Sequence, residues 1–187
     1  MKKHSHDDAS VRQQQALWQY RGKHRPPFAR EPGPGQESVW DYPRPPAMVP
    51  DKRLVEVRVG ATLIARTHQA VRVLETASPP TFYIPPGDVD MGLLHPASGQ
   101  SFCEWKGRAH YYDLVTPHAR AGQVAWSYAE PFEAFADIAG YLAFYPGRVE
   151  CTIDGERVRA QAGGFYGGWI TNEVVGPFKG DPGTTGW

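Results

Sequence analysis

The sequence lacks the features that mark several large classes of protein. It has only two cysteines, Cys103 and Cys151, among 187 residues, which are too few for a disulfide framework or a four-cysteine zinc site. No run of 18 apolar residues occurs, so we predict no membrane-spanning helix. The stretch Met1–Val11 has no apolar segment of the kind that forms a secretory signal. We therefore expect a cytoplasmic protein whose two thiols are reduced and unpaired.

Net charge is also absent. The 20 basic and 20 acidic side chains cancel, so the chain has no overall field to attract nucleic acid or an anionic membrane. We predict neither partner. The glycines of Gly163–Gly168 lack the Gly-Lys-Ser/Thr ending of a phosphate-binding loop. The histidines His4 and His6 could bind a metal only weakly and are otherwise part of a solvated start, so no metal site is predicted.

Composition divides the chain into three segments. Residues 1–50 form a proline-rich N-terminal extension, with eight prolines from Pro26 to Pro50, which predicts an extended connector. A short helix is predicted earlier, over Gln13–Arg21. Residues 51–162 form the predicted β domain. Residues 163–187 are rich in glycine and aromatic residues, and we expect this tail to pack on the domain.

Alternating apolar and polar residues predict short strands throughout the β domain. Val55–Val59 alternates in this way, and a turn leads back into a second strand at Thr62. Pro131–Tyr141 carries apolar residues at helical spacing and is the predicted main helix, and Asp88 is the predicted cap of a helical turn. The fold class is therefore mainly β, a small curved antiparallel sheet or half-open barrel with one short helix, flanked by the two extended segments.

The segment Ser101–Tyr112 holds the densest set of reactive side chains. We predict a hairpin in which Cys103 and Trp105 share a strand face and Lys106 lies in a tight turn with Gly107. The returning strand brings in Tyr111. A lysine beside a cysteine can lower the pKa of the thiol and create a nucleophile. The alternative is that Cys103 is a small buried apolar residue and Lys106 only a turn residue.

Two further features point to a pocket. Glu75 lies on the valine face of a predicted strand, where a carboxylate must be paired or shifted in pKa, so it is either a salt-bridge partner or an acid–base group. Trp126 and Tyr128 share one strand face. Together with Tyr83 and Trp105 they could line an aromatic cage for a base or a cation, or pack as plain core.

Three functions fit these residues. The first is a small-molecule enzyme with Cys103, Lys106, Glu75 and Tyr111 as its catalytic residues. The second is a binding module whose ligand contacts Tyr83, Trp105, Trp126 and Tyr128. The third is a structural or partner-binding protein, which would show a flat surface without a cavity. We favour a small molecule bound in an aromatic-lined pocket, with catalysis open and the cofactor unknown, and we expect the direction of the Lys106 ammonium to discriminate among these functions.

The same residues resemble a known family. The segments Arg72-Val73-Leu74-Glu75, Cys103-Glu104-Trp105-Lys106-Gly107 and Ala125-Trp126-Ser127-Tyr128 are similar to the bacterial and fungal family classified as domain of unknown function 427, also labelled nucleotidyltransferase-like. The resemblance spans roughly residues 53–159. Many members carry Cys-Pro-Tyr-Lys-Gly where this chain has Cys-Glu-Trp-Lys-Gly. The transferase label implies paired acidic residues for two magnesium ions. Asp88 and Asp90 have a suitable spacing, but a short turn beside a proline favours a capping role.

Overall fold

Antiparallel strands dominate residues 8–187, the part of the chain that the computed structural model describes. His4 and His6 lie outside the described residues. The chain starts with helix α1 (Asp8–Ala16), so the predicted helix over Gln13–Arg21 lies too late in the sequence. The strands are β1 (Glu37–Ser38), β2 (Ala47–Asp51), β3 (Val55–Val59), β4 (Thr62–Thr67), β5 (Ala70–Glu75), β6 (Ser78–Ile84), β7 (Leu94–Cys103), β8 (Gly107–Val115), β9 (Arg120–Ser127), β10 (Leu142–Phe144), β11 (Glu150–Ile153), β12 (Glu156–Arg157), β13 (Arg159–Ala160), β14 (Trp169–Ile170) and β15 (Val174–Val175).

Two antiparallel sheets form the body of the molecule. The larger has seven strands in the order β2-β5-β6-β10-β9-β8-β7, and the smaller has four in the order β12-β11-β3-β4. The predicted β3–β4 hairpin is present, and Asp154 and Gly155, both with positive φ, form the turn between β11 and β12. Neither sheet closes into a barrel within the described residues. The mainly β fold with a curved antiparallel sheet is thus confirmed.

The seven-stranded sheet buries both of its faces. Strand alternation turns Phe82 toward the four-stranded sheet, where it packs in a core with Val55, Val57 and other apolar residues. The next residue, Tyr83, points to the opposite face and packs with Trp126 in a second, aromatic cluster. The candidate site lies on this second face, where large aromatic side chains stand next to small ones.

Two local predictions are wrong. The predicted helix over Pro131–Tyr141 is instead a six-residue 3-10 helix, Glu133–Ile138, with a kink at Phe135. The Phe132 amide donates to the Lys106 carbonyl at 3.2 Å, in the turn between β7 and β8. This hydrogen bond leaves Phe132 non-helical and fixes the start of the 3-10 helix at the next residue. Asp88 does not cap the helical turn that follows it.

The capping residue there is Asp90, whose side chain accepts a hydrogen bond from the Gly92 amide at 3.1 Å. Asp88 accepts instead from the Thr67 hydroxyl. The two carboxylates thus serve local structure, as their spacing on a short turn predicts. Neither is among the residues that line the cavity described below.

The segments that flank the domain pack against it. In the N-terminal extension, Trp40 is fully buried and its ring lies 5.2 Å from that of Trp187, at the other end of the chain. Strand β1 pairs in parallel with β15. In the tail, the Trp169 ring stacks on Phe82 at 4.9 Å. Across residues 8–187, no helix has the length and apolar character needed to span a membrane.

Candidate functional site

A cavity of about 240 Å³ opens on the aromatic face of the seven-stranded sheet. Its walls include seven of the eight residues that the sequence singled out, namely Glu75, Tyr83, Cys103, Lys106, Tyr111, Trp126 and Tyr128. The eighth, Trp105, is buried but does not line the cavity, and its indole nitrogen has no hydrogen-bond partner.

Strand register explains why distant residues meet in this cavity. Tyr111 of β8 pairs with Trp126 of β9, and Trp126 pairs with Ala143 of β10, which in turn pairs with Tyr83 of β6. All four side chains therefore stand on one face. The Tyr83 and Trp126 rings meet edge to face above the small Ala143, and both line the cavity.

The phenols of the cavity are neutral hydrogen-bond donors. Burial raises the pKa of Tyr83 to about 12 and also raises that of Tyr128. Their ring centroids lie 6.4 Å apart. The Tyr111 hydroxyl donates to Ser101 Oγ at 2.7 Å. The aromatic wall thus offers flat apolar faces edged by hydroxyl groups.

A turn of three residues places the cationic group of the site. Cys103 pairs with Gly107, so the turn consists of residues 104–106 rather than the Lys106-Gly107 pair expected from the sequence. The Lys106 side chain points inward, and the residue is only 8% exposed. Burial lowers the pKa of Lys106, but its interactions with Cys103, Tyr83 and Glu75 together raise it above its ordinary value. Lys106 is therefore a buried cation.

The thiol beside this cation does not behave as the sequence suggested. Burial raises the pKa of Cys103, and the Lys106 ammonium offsets only part of that rise. The reactive form of cysteine is the thiolate. Cys103 is thus a neutral thiol near pH 7, which favours the second of the two alternatives, a small buried residue, over an activated nucleophile. Both Cys103 and Cys151 are free.

Glu75 takes the salt-bridge role rather than that of a free acid. Its carboxylate lies 3.2 Å from the guanidinium of Arg44, whose side chain is fully buried. Arg44 also donates to the backbone carbonyls of Tyr20 at 2.9 Å and Thr76 at 2.8 Å. The guanidinium therefore engages the Glu75 carboxylate, and it links the N-terminal extension, which contains Arg44, to the end of β5.

Several cavity residues were not predicted. Trp18 comes from the N-terminal extension, where the sequence predicted only a helix, while Gln161, Tyr166 and Lys179 lie outside the strands near the end of the chain. Arg44 stands among prolines, in a stretch that predicted only a connector. The sequence feature that could have predicted this ion pair was an arginine set among prolines, together with a Glu75 carboxylate that had no other assigned partner.

Trp18 covers one side of the cavity. Its indole nitrogen donates to Glu104 Oε1 at 2.6 Å, and Gln15 Nε2 donates to the Glu104 carbonyl at 2.7 Å. On the same ring lies the Lys179 ammonium, 3.5 Å from the ring centroid. The segment just after α1 thus packs directly on the turn that carries Lys106.

The charged groups that line the cavity are two lysines, Lys106 and Lys179, and two carboxylates, Glu75 and Glu104. Glu75 is paired with Arg44, and Glu104 accepts from Trp18. Within residues 8–187, neither Lys106 nor Lys179 has a carboxylate oxygen within ion-pair distance. Two buried amino groups therefore border an aromatic-walled space without the direct ion pair that buried cations normally have.

The fold and the cavity define a mainly β protein with two packed antiparallel sheets and a small aromatic-walled site on the outer face of one of them. The model of the family described as domain of unknown function 427 matches residues 47–155, more than half of the 187-residue chain. The chain belongs to this family, as its sequence segments indicated. No curated protein matches it.

Proposed function

We propose that this chain binds a small molecule in the aromatic-walled cavity, and that the molecule combines a flat ring with an anionic group. The observation that carries the proposal is the inward-facing Lys106 ammonium, which lacks a carboxylate partner within the described residues. A ligand carboxylate or phosphate would supply the missing charge through a strong, charge-assisted hydrogen bond. No metal or cofactor is needed for this binding.

The walls support a ring as the other part of the ligand. Trp126 packs against Tyr145 with ring centroids 4.5 Å apart and stands edge-on to Tyr83 at 6.3 Å. Flat apolar faces with a few polar groups are the usual composition of a small-molecule site. The volume of about 240 Å³ suits a compact ligand of one ring.

The other functions are less well supported. A cation in the aromatic cage would be repelled by the buried Lys106 ammonium, which has no carboxylate within ion-pair distance in the described residues. A partner-binding protein was expected to show a flat surface, whereas this chain has a cavity with convergent polar groups. Catalysis by Cys103 is not part of the proposal, because burial raises the pKa of its thiol.

The test is a calorimetric titration of the full chain with benzoate, benzyl alcohol and benzylammonium. We expect benzoate to bind and the other two to bind weakly or not at all. Removal of the ammonium in Lys106→Met should weaken benzoate binding by about tenfold or more, since a hydrogen bond to a charged group contributes about 1.5–3 kcal/mol. The matched control is Lys52→Met, which removes an exposed lysine.

The control is expected to bind benzoate as the unmodified chain does. Near-ultraviolet circular dichroism of Lys106→Met establishes that the variant is folded. Equal binding of benzoate by the two variants, or tighter binding of benzylammonium than of benzoate, would overturn the proposal. The second result would instead favour the aromatic cage for a cation.

A further inference from the structure

Lys179 is a second amino group in the cavity, and its position is firmly held. The residue is 5% exposed. Its backbone amide donates to the Ala77 carbonyl, and its carbonyl accepts from Gln161 Nε2, each at 2.7 Å. The amino group lies 3.5 Å from the ring centroid of Trp18 and 5.3 Å from that of Tyr166. The nitrogen is thus enclosed by rings and directed into the ligand space.

The surroundings of Lys179 favour the neutral amine. Two aromatic rings replace water around the nitrogen, which disfavours the charged form, and the Arg44 guanidinium lies against the same Trp18 ring at 4.4 Å. The Trp18 face and the Glu75 and Glu104 carboxylates attract the ammonium and oppose these two effects only in part. Burial lowers the pKa of Lys179 to about 8, and Arg44 adds to this effect. In about a tenth of the molecules the Lys179 amine is then neutral at pH 7.

Lys106 provides the contrasting group in the same cavity. Its pKa is raised, so it stays protonated and supplies a fixed positive charge. A desolvated lysine beside another cation is a known way to obtain a nucleophilic amine. For Lys179 that neighbouring cation is Arg44, on the same Trp18 ring.

We propose that Lys179 forms a reversible imine with an aldehyde or ketone ligand in this cavity. The inference rests on the proposed binding function and adds a carbonyl group to the ligand. The neutral amine nitrogen attacks the carbonyl carbon, a C–N bond forms, and the oxygen takes up a proton. Loss of the amine proton and breakage of the C–O bond then release water and leave the imine. The reaction needs no oxidant or reductant, and hydrolysis reverses it.

The test uses 4-carboxybenzaldehyde, which carries a ring, an anion and a carbonyl group. The full chain is incubated with the probe, and borohydride then reduces any imine to a stable secondary amine. Intact-mass and peptide mass spectrometry report the number and position of carboxybenzyl groups. We expect one group, on Lys179. The Lys179→Arg variant should lose it, whereas Lys52→Arg, which changes an exposed lysine, should keep it.

Labelling spread evenly over surface lysines, or undiminished labelling of Lys179→Arg, would overturn the imine. So would a label on Lys106 alone. Benzoate, which has the ring and the anion but no reactive carbonyl, separates this inference from the proposed function. Benzoate binding without any trapping at Lys179 would leave the binding function and remove the imine. Trapping at Lys179 without benzoate binding would sustain the imine and remove the anionic ligand.

Discussion

The two lysines of the cavity should make the stability of the protein respond to pH in opposite ways. Burial lowers the pKa of Lys179 from its ordinary 10.5 to about 8. For Lys106, burial also opposes the charge, but Cys103, Tyr83 and Glu75 together raise the pKa above the ordinary value. In the unfolded chain both lysines titrate near 10.5.

The sign follows from which state holds the proton. Between about pH 8 and 10.5 the unfolded chain keeps the proton that folded Lys179 has released. The free energy of unfolding therefore rises with pH in this window. For Lys106 the folded state keeps the proton longer, so its contribution is fully present below 10.5 and declines as the pH rises above that value.

The size of the Lys179 effect follows from its pKa shift. One pKa unit corresponds to about 1.4 kcal/mol, so a fall from 10.5 to about 8 destabilises the folded state at neutral pH by about 3 kcal/mol. Solvent screening is small, because Lys179 is only 5% exposed. Replacement by methionine keeps the apolar stem and removes the buried charge.

The assay is urea unfolding of the unmodified chain, Lys179→Met and Lys106→Met at several pH values from about 7 to about 10. The measured quantity is the free energy of unfolding of each variant minus that of the unmodified chain, which cancels groups that all three share. For Lys179→Met this difference should fall by about 3 kcal/mol across the window. For Lys106→Met it should stay constant until the highest pH.

A Lys179→Met difference that is independent of pH would refute the reasoning, because it would mean that folded Lys179 titrates as it does in the unfolded chain. A difference that grows with pH would reverse the sign and show that the ammonium is stabilised in the folded state. Either result would also remove the source of neutral amine on which imine formation depends.

Two further predictions concern stability and cavity shape. Arg44→Met should cost about 3–5 kcal/mol in urea unfolding, because it breaks the ion pair with Glu75 and leaves the Tyr20 and Thr76 carbonyls without their donor. The companion variant Glu75→Gln should cost less, because those two hydrogen bonds remain, and equal values for the two would contradict this. Gly167→Ala should cost about 1–3 kcal/mol and weaken benzoate binding, since its Cβ would lie 2.1 Å from the Trp126 ring. The control Gly87→Ala meets no atom within 4 Å, and an equal effect there would argue against the clash.

Regular alternation made most of the sheet predictable. The strand Val55–Val59 has the predicted bounds, since Val55 and Val57, two residues apart, pack in the core. Alternation predicts which side chains of one strand share a face, such as Trp126 and Tyr128, but not which faces of different strands coincide. The meeting of side chains from several strands in one cavity follows from the strand order, which no local pattern specifies.

Tertiary contacts decided what local patterns could not. The periodicity of Pro131–Tyr141 predicts a helix, but the hydrogen bond from Phe132 to the Lys106 carbonyl holds the start extended. Trp105 was expected in a strand, yet it lies in the turn that swings Lys106 inward. Lys179 lies in the cavity because Trp18 and Tyr166 pack around it, and these two rings come from opposite ends of the chain.

The residues that line the cavity come both from the family segment and from the segments that flank it. Lys106 lies within the matched segment 47–155, whereas Trp18 and Lys179 lie outside it. Trp18 is held by the Glu104 carboxylate, which belongs to the matched segment. Contact between the two parts of the chain therefore closes one side of the cavity. Under the proposed function, Lys106 of the family segment would bind the anion of the ligand, and the flanking segments would supply the cover and the second amine.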